Sequence, residues 1–135
     1  MSNHKTHTTR QVVIWVDHNE AVLAKFHNDH LTHEEEIDSN VGPHTHGGGW
    51  SQHRIEAHRH EQLKHYYDEI VDHLGKVDEI LLLGPGQAKH ELQARIEHHK
   101  GLRGKVIALK PSDKMSEEKI VAKAKEFFRP ILNSR

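Results

Sequence analysis

Gln11-Val12-Val13-Ile14-Trp15-Val16-Asp17 holds five consecutive β-branched or aromatic residues with no polar residue among them. A strand with one face in water alternates apolar with polar side chains; an unbroken apolar run belongs to a strand buried on both faces. This segment therefore reads as an inner strand that needs cover on both sides. After the short polar turn His18-Asn19, Glu20 to His27 reads as a second strand, hairpin-paired to the first. Asn28-Asp29 makes another turn, and His30 to Asp38 reads as a third. Its apolar content is only Leu31 and Ile37, which suggests a sheet edge blunted by Glu34, Glu35 and Glu36.

Ser39 to Gln52 is a loop rich in glycine and histidine, and His53 to Leu74 is helical. Leu63, Tyr66, Tyr67, Ile70, Val71 and Leu74 recur at spacings of three and four, the stripe of a core-facing helix. The first half offers only Ile55 and Ala57, so at 1.5 Å per residue roughly the first 15 Å should project from the body. Gly75 closes the helix. Val77 to Leu83 reads as a buried strand, Gly84-Pro85-Gly86 as a turn with Pro85 set for the first helical position, and Gln87 to His99 as a helix with Leu92 and Ile96 inward. Gly101 and Gly104 bracket a loop before a short strand, Lys105 to Leu109. Ser112 is the expected cap of a last helix with Ile120, Val121, Ala124, Phe127 and Phe128 on its core face, stopped by Pro130. The order βββαβαβα predicts an α/β fold, a mixed sheet of about five strands with three helices, in the ribonuclease-H-like arrangement.

The chain has 135 residues, which suits one domain over residues 11–135 behind a polar, disordered tail at residues 1–10. A net charge of −1 excludes a uniformly basic nucleic-acid coat, but 16 histidines would add positive charge on mild acidification. Without cysteine there are no disulfides or thiolate metal sites. No apolar run approaches a membrane span, and residues 1–10 lack a signal peptide's apolar stretch, so a cytoplasmic location without membrane contact is expected. No oligomeric state can be read.

Residues 43–54 read Pro43-His44-Thr45-His46-Gly47-Gly48-Gly49-Trp50-Ser51-Gln52-His53-Arg54. Three glycines carry a large entropic cost and an exposed tryptophan has no core to justify it, so the loop reads as a probe presented to a partner. Arg54, Arg59 and Lys64 stand against Glu56 and Glu61, three cations to two anions, with His53, His58, His60 and His65 among them. Trp50 could stack on an unpaired base while Arg54 and Arg59 contact phosphates. His58, Glu61 and His65 share a helix face, but Arg54 lies on it too and H-E-x-x-H is nowhere completed, so no metal or cofactor is expected. A histidine-based metal-binding protein remains an alternative. Leu83-Gly84-Pro85-Gly86-Gln87-Ala88-Lys89 could hold a phosphate at a helix N-terminus, yet a tight turn explains it more cheaply. Asp17 and His18 resemble the acidic position of ribonuclease-H active sites; Asp78 and Glu79 sit at the wrong end of their strand, and nuclease activity is not expected.

The segment His46-Gly47-Gly48-Gly49-Trp50-Ser51-Gln52-His53-Arg54, leading into a basic helix with Tyr66-Tyr67, resembles the loop and long helix of the middle domain of archaeal and eukaryotic class-1 peptide-chain release factors. It looks closer still to their bacterial relatives, where a Gly-Gly-Trp-Ser-Gln version occurs. Ile80-Leu81-Leu82-Leu83-Gly84-Pro85-Gly86-Gln87-Ala88-Lys89 is similar to the strand-turn-helix of the same domain, Pelota branch included. The resemblance spans about Gln11 to Phe128. It implies a translation factor that binds the ribosome or the tRNA acceptor end, in ribosome rescue or hibernation. The RNA contacts would be Gly47, Gly48, Gly49, Trp50, Ser51, Gln52, His53, Arg54, His58, Arg59 and Lys64. Gly48 and Gly49 match the family's paired glycines, but Trp50 stands where the catalytic glutamine would be, and indole offers a donor and no acceptor. Peptidyl-tRNA hydrolysis, with Gln52 as the local substitute, is the alternative the resemblance leaves open.

Overall fold

A computed structural model describes residues 9–28, 30–40 and 51–132. Five strands, β1 (Arg10–Val16), β2 (Glu20–His27), β3 (His30–Asp38), β4 (Glu79–Leu83) and β5 (Val106–Lys110), form one sheet in the order β3-β2-β1-β4-β5. β1 to β3 are antiparallel neighbours, whereas β4 runs parallel to β1 and β5 parallel to β4. With α1 (Gln52–Asp72), α2 (Ala88–Glu97) and α3 (Glu117–Leu132), this is the mixed, ribonuclease-H-like α/β arrangement expected.

The apolar run of β1 dictates the layering. Val12 to Val16 are each at most 2% exposed. Val12, Ile14 and Val16 join Leu23, Ile80 and Leu82 beneath Tyr66, Tyr67 and Ile70 of α1 and Leu92 and Ile96 of α2. On the other face, Val13 and Trp15 meet Phe26, Leu81 and Leu83 beneath Ile120, Ala124 and Phe128 of α3. Trp15 Nε1 donates to the carbonyls of Ser112 (3.3 Å) and Asp113 (3.1 Å), which ties down the chain leading into α3. β3 is the polar edge, its outer residues mostly exposed and only Ile37 buried. No described helix is long and apolar enough to cross a membrane.

Three local expectations are corrected. The cap of α3 is Ser116, not Ser112: Ser116 Oγ accepts from the Lys119 amide at 3.3 Å and its carbonyl from Ile120 at 3.0 Å. The Ser112 hydroxyl donates to the Asp113 carbonyl at 2.8 Å, and the residue sits too far upstream of Glu117 to reach the first turn. Pro130 does not stop α3, whose backbone continues to Leu132; so near a helix end, proline's fixed φ is helical and forfeits a single hydrogen bond. Pro85 lies outside α2, which starts at Ala88, so it shapes the turn rather than the first helical position.

That turn is held by contact with β1. Gly84 has φ +145°, and a Cβ there would lie 2.1 Å from the Val16 carbonyl oxygen. Only glycine lets the end of β4 press against the end of β1. Gly84→Ala is expected to cost at least about 3 kcal/mol, combining backbone strain with displacement of Val16. Chemical denaturation would measure this, and a loss under about 1 kcal/mol would refute the importance of that approach.

Candidate nucleic-acid interface

Helix α1 begins one residue earlier than expected. Ser51 is its N-cap, with an extended backbone, and its hydroxyl accepts from the Arg54 amide at 3.2 Å. Gln52 thus occupies the first helical position, and its Nε2 donates to Glu56 Oε2 one turn on, at 3.2 Å. No residue from Gln52 to Lys64 is buried; Tyr66 is the first that is. Contacts along the helix support this part, such as Glu61 to His65 at 3.7 Å. No acidic residue occupies the first turn, so no side-chain charge within that turn offsets the positive end of the helix dipole.

Past Lys64 the helix is locked. Tyr66 OH donates to the Asp17 carbonyl (2.9 Å) and Tyr67 OH to Glu91 Oε1 (2.5 Å). Arg95 of α2 grips Asp68 Oδ1 through Nε and Nη2, at 3.0 and 2.9 Å. Burial pushes both tyrosine hydroxyls far above their ordinary range, reinforced at Tyr66 by Asp17, Glu20 and Asp38 and at Tyr67 by its bond to Glu91. Both stay protonated and donate at any physiological pH. At the far end, Glu35 of β3 accepts from His73 Nδ1 (2.7 Å) and His33 Nε2 (2.9 Å), and Lys25 bonds the His73 carbonyl.

The expected site residues divide accordingly. Ser51, Gln52, His53, Arg54, His58, Arg59 and Lys64 share the overhanging half of α1. They do not form one stripe: at 3.6 residues per turn, Arg59 lies about 140° from Arg54 and Lys64 about 80° the other way. The cations surround the helix. Lys64 and His60 also rim a notch of about 280 Å³ between α1 and α2, floored by Leu63, Tyr67 and Ala94. Gly47, Gly48, Gly49 and Trp50 lie outside the described residues.

The rival motifs are occupied by structural duties. Lys89 is 6% exposed and its Nζ donates to the Gly86 carbonyl at 2.7 Å, closing the turn instead of facing a phosphate. Asp17 Oδ1 accepts the amides of Asn19 and Glu20, both at 2.8 Å, and His18 meets Glu91 at 3.0 Å. Asp78 and Glu79 bond Arg10 and Gln11 of β1, each at 2.7 Å. Among the described residues no cluster of three or more histidine or carboxylate groups could hold a metal ion. Glu91, joining Tyr67 and His18, had no signal in the sequence: its partners lie 24 and 73 residues away.

A sheet of this order, covered on both faces and carrying one overhanging helix, is the fold of the release-factor and Pelota middle domain. Residues 3–129 match the model of the bacterial archaeo-eukaryotic release factor family 10, and the chain belongs to that family. It is 27% identical to peptide chain release factor subunit 1 of Thermococcus onnurineus, aligning over 89% of this chain and 36% of that protein. The Pelota protein of Thermoplasma acidophilum superposes with a TM-score of 0.58 at 20% identity, over 98% of this chain and 37% of that one. An archaeal translation termination factor superposes with a TM-score of 0.54 at 17% identity, over 90% of this chain and 39% of that one. The chain thus spans little more than a third of the length of these relatives.

Glu35 gives a pH-dependent check on the foot of α1. Burial would raise its carboxyl, but His73, Lys25 and His33 outweigh that and hold it below the ordinary value of 4.5. A lowered folded value means stabilisation present above the unfolded value and lost as pH falls through the folded one. Glu35→Gln should therefore cost about 1 kcal/mol at pH 7, and the gap should close below pH 4.5. Urea unfolding at stepped pH measures it; a gap that persists in acid would contradict the arrangement.

Proposed function

We propose that this protein is a translation factor that binds the ribosome or the tRNA acceptor end, with the Gly47-Gly48-Gly49-Trp50 loop as its tip and the first half of α1 as its shaft. The observation that carries the reading is that division of α1: about three turns hold no buried residue, while the rest packs on the sheet and is bonded to the β1–β2 turn and to α2. A rigid root under a solvated, cation-bearing overhang is an inserting element, and a bare surface helix would not be held so firmly at one end only. Membership of the release-factor family supplies the partner class, and ribosome rescue or hibernation is the role it suits. Ser51, Gln52, His53, Arg54, His58, Arg59 and Lys64 are the contacts we assign to RNA.

Binding is favoured over peptidyl-tRNA hydrolysis. The Gln52 amide is turned back along α1 onto Glu56 from a helical position, and Trp50 occupies the place of the family's catalytic glutamine. Purified ribosomes at low salt should co-sediment with the protein at pH 7.5 and at pH 6; no co-migration at either pH would overturn the proposal. Arg54→Glu with Arg59→Glu should weaken binding about tenfold or more and flatten its salt dependence. Peptidyl-tRNA–ribosome complexes should release peptide no faster with the protein than without it. Release that Gln52→Ala abolishes would reinstate hydrolysis.

A further inference from the structure

The end of the molecule opposite the α1 overhang carries a cleft of about 670 Å³. Four separate segments bring basic groups to it: Arg10 at the start of β1, Lys76 after α1, His99 beside the single 3-10 turn Lys100–Leu102, and Lys105 before β5. Lys100 stands between two lining residues, His99 and Gly101. The sequence around it is one-sided: residues 98–112 contain Lys100, Arg103, Lys105 and Lys110 and no aspartate or glutamate.

The backbone presenting these groups is fixed. Arg10 and Asp78 are joined twice, Arg10 amide to Asp78 Oδ2 and Asp78 amide to the Arg10 carbonyl, both at 2.7 Å. The Lys105 amide donates to the Leu102 carbonyl at 3.1 Å, and the Lys105 carbonyl accepts from Ile80 at 2.8 Å. By contrast, the side chains of Arg10, Lys76, Lys100 and Lys105 form no hydrogen bond or ion pair with any described residue. Two carboxylates, Asp72 and Asp78, also line the cleft, and Asp78 already serves the Arg10 amide. The backbone that carries these cations is held in advance, so binding an anion has to order only their side chains. Arg103 and Lys110 are otherwise engaged, the first with the Glu97 carbonyl at 3.1 Å and the second over the Phe127 ring at 5.6 Å.

We infer that this cleft is a second RNA contact, seating backbone phosphates between Arg10, Lys76, Lys100 and Lys105. The inference rests on the ribosome-binding function proposed for α1 and gives that binding a second point of attachment. Phosphate backbone suits the cleft better than an apolar partner or a membrane, because Ile107 is the one exposed large hydrophobic residue among those described. The 21 residues of α1 separate its two ends by about 31 Å. That exceeds the Debye length of about 8 Å, so charges at the two ends act independently and the effects of removing them should multiply.

The test is co-sedimentation with purified ribosomes over a salt series, using Lys76→Glu with Lys105→Glu. A charge-matched control, Lys119→Glu with Lys125→Glu, alters exposed residues of α3 remote from the cleft. The cleft variant should bind about tenfold or more weakly, with a log–log salt slope shallower by about 0.7–0.9 for each phosphate no longer neutralised, while the control binds as wild type. Lys76→Gln with Lys105→Gln serves if charge reversal lowers the melting temperature. If wild type binds and the cleft variant behaves like the control, this inference falls alone; if wild type fails to bind, it falls together with the proposed function.

Discussion

The structure depends on β1 having no polar face. Five residues in a row closed off from water oblige the chain to supply cover above and below the sheet, and three helices divide that work. Lengths then decide the rest. β1 has 7 residues and spans about 23 Å, while α1 has 21 and spans about 31 Å. A helix longer than the layer it covers must overhang, and the side-chain bonds determine at which end. Tyr66, Tyr67 and Asp68 fasten α1 in its C-terminal half, so all the excess falls at the N-terminal end.

The carboxylates follow from the same demand. In a ribonuclease-H-like sheet, acids near the ends of the central strands are the natural candidates for chemistry. Here Asp17 closes the β1–β2 turn, Glu91 and Asp68 join α1 to α2 and Asp78 joins β1 to the approach of β4. Each is committed to geometry. Spent in this way, they stiffen the base of the overhang.

Much of this was legible in the sequence, for identifiable reasons. An unbroken run such as Val12–Val16 admits few interpretations, and the stripe from Leu63 to Leu74 fixed the core face of α1 together with its bare first half. End signals were harder. Ser112 reads as a cap, yet its hydroxyl donates to the Asp113 carbonyl and it is Ser116, four residues on, whose hydroxyl accepts from the first turn of α3. Pro130 and Pro85 misled because proline constrains φ without saying which side of a helix boundary it will occupy. The tyrosine hydroxyls were invisible as anchors, since periodicity reports the ring and not the partner of its oxygen. The absence of acids from residues 98–112 was plain in the sequence, but its meeting with Arg10 and Lys76 is a product of topology.

Net charge concealed the most consequential pattern. At −1 overall the chain shows no bias, yet its charges are sorted in space. Glu34, Glu35 and Glu36 line β3 at one edge of the sheet; the far edge, β5, ends in Lys110 and is preceded by Lys105, Arg103 and Lys100. Negative charge therefore gathers at the β3 edge and positive charge at the β5 edge. Adjacent carboxylates on an edge strand repel one another: Glu34 is pushed above its ordinary value by burial and by Glu117 and Glu36 nearby, a cost the fold bears. Charged side chains along an edge strand disfavour pairing with a further strand and repel polyanions. An approaching polyanion is turned away from β3 and toward the β5 side, so a nearly neutral protein can favour one orientation without the indiscriminate attraction of a uniformly basic one.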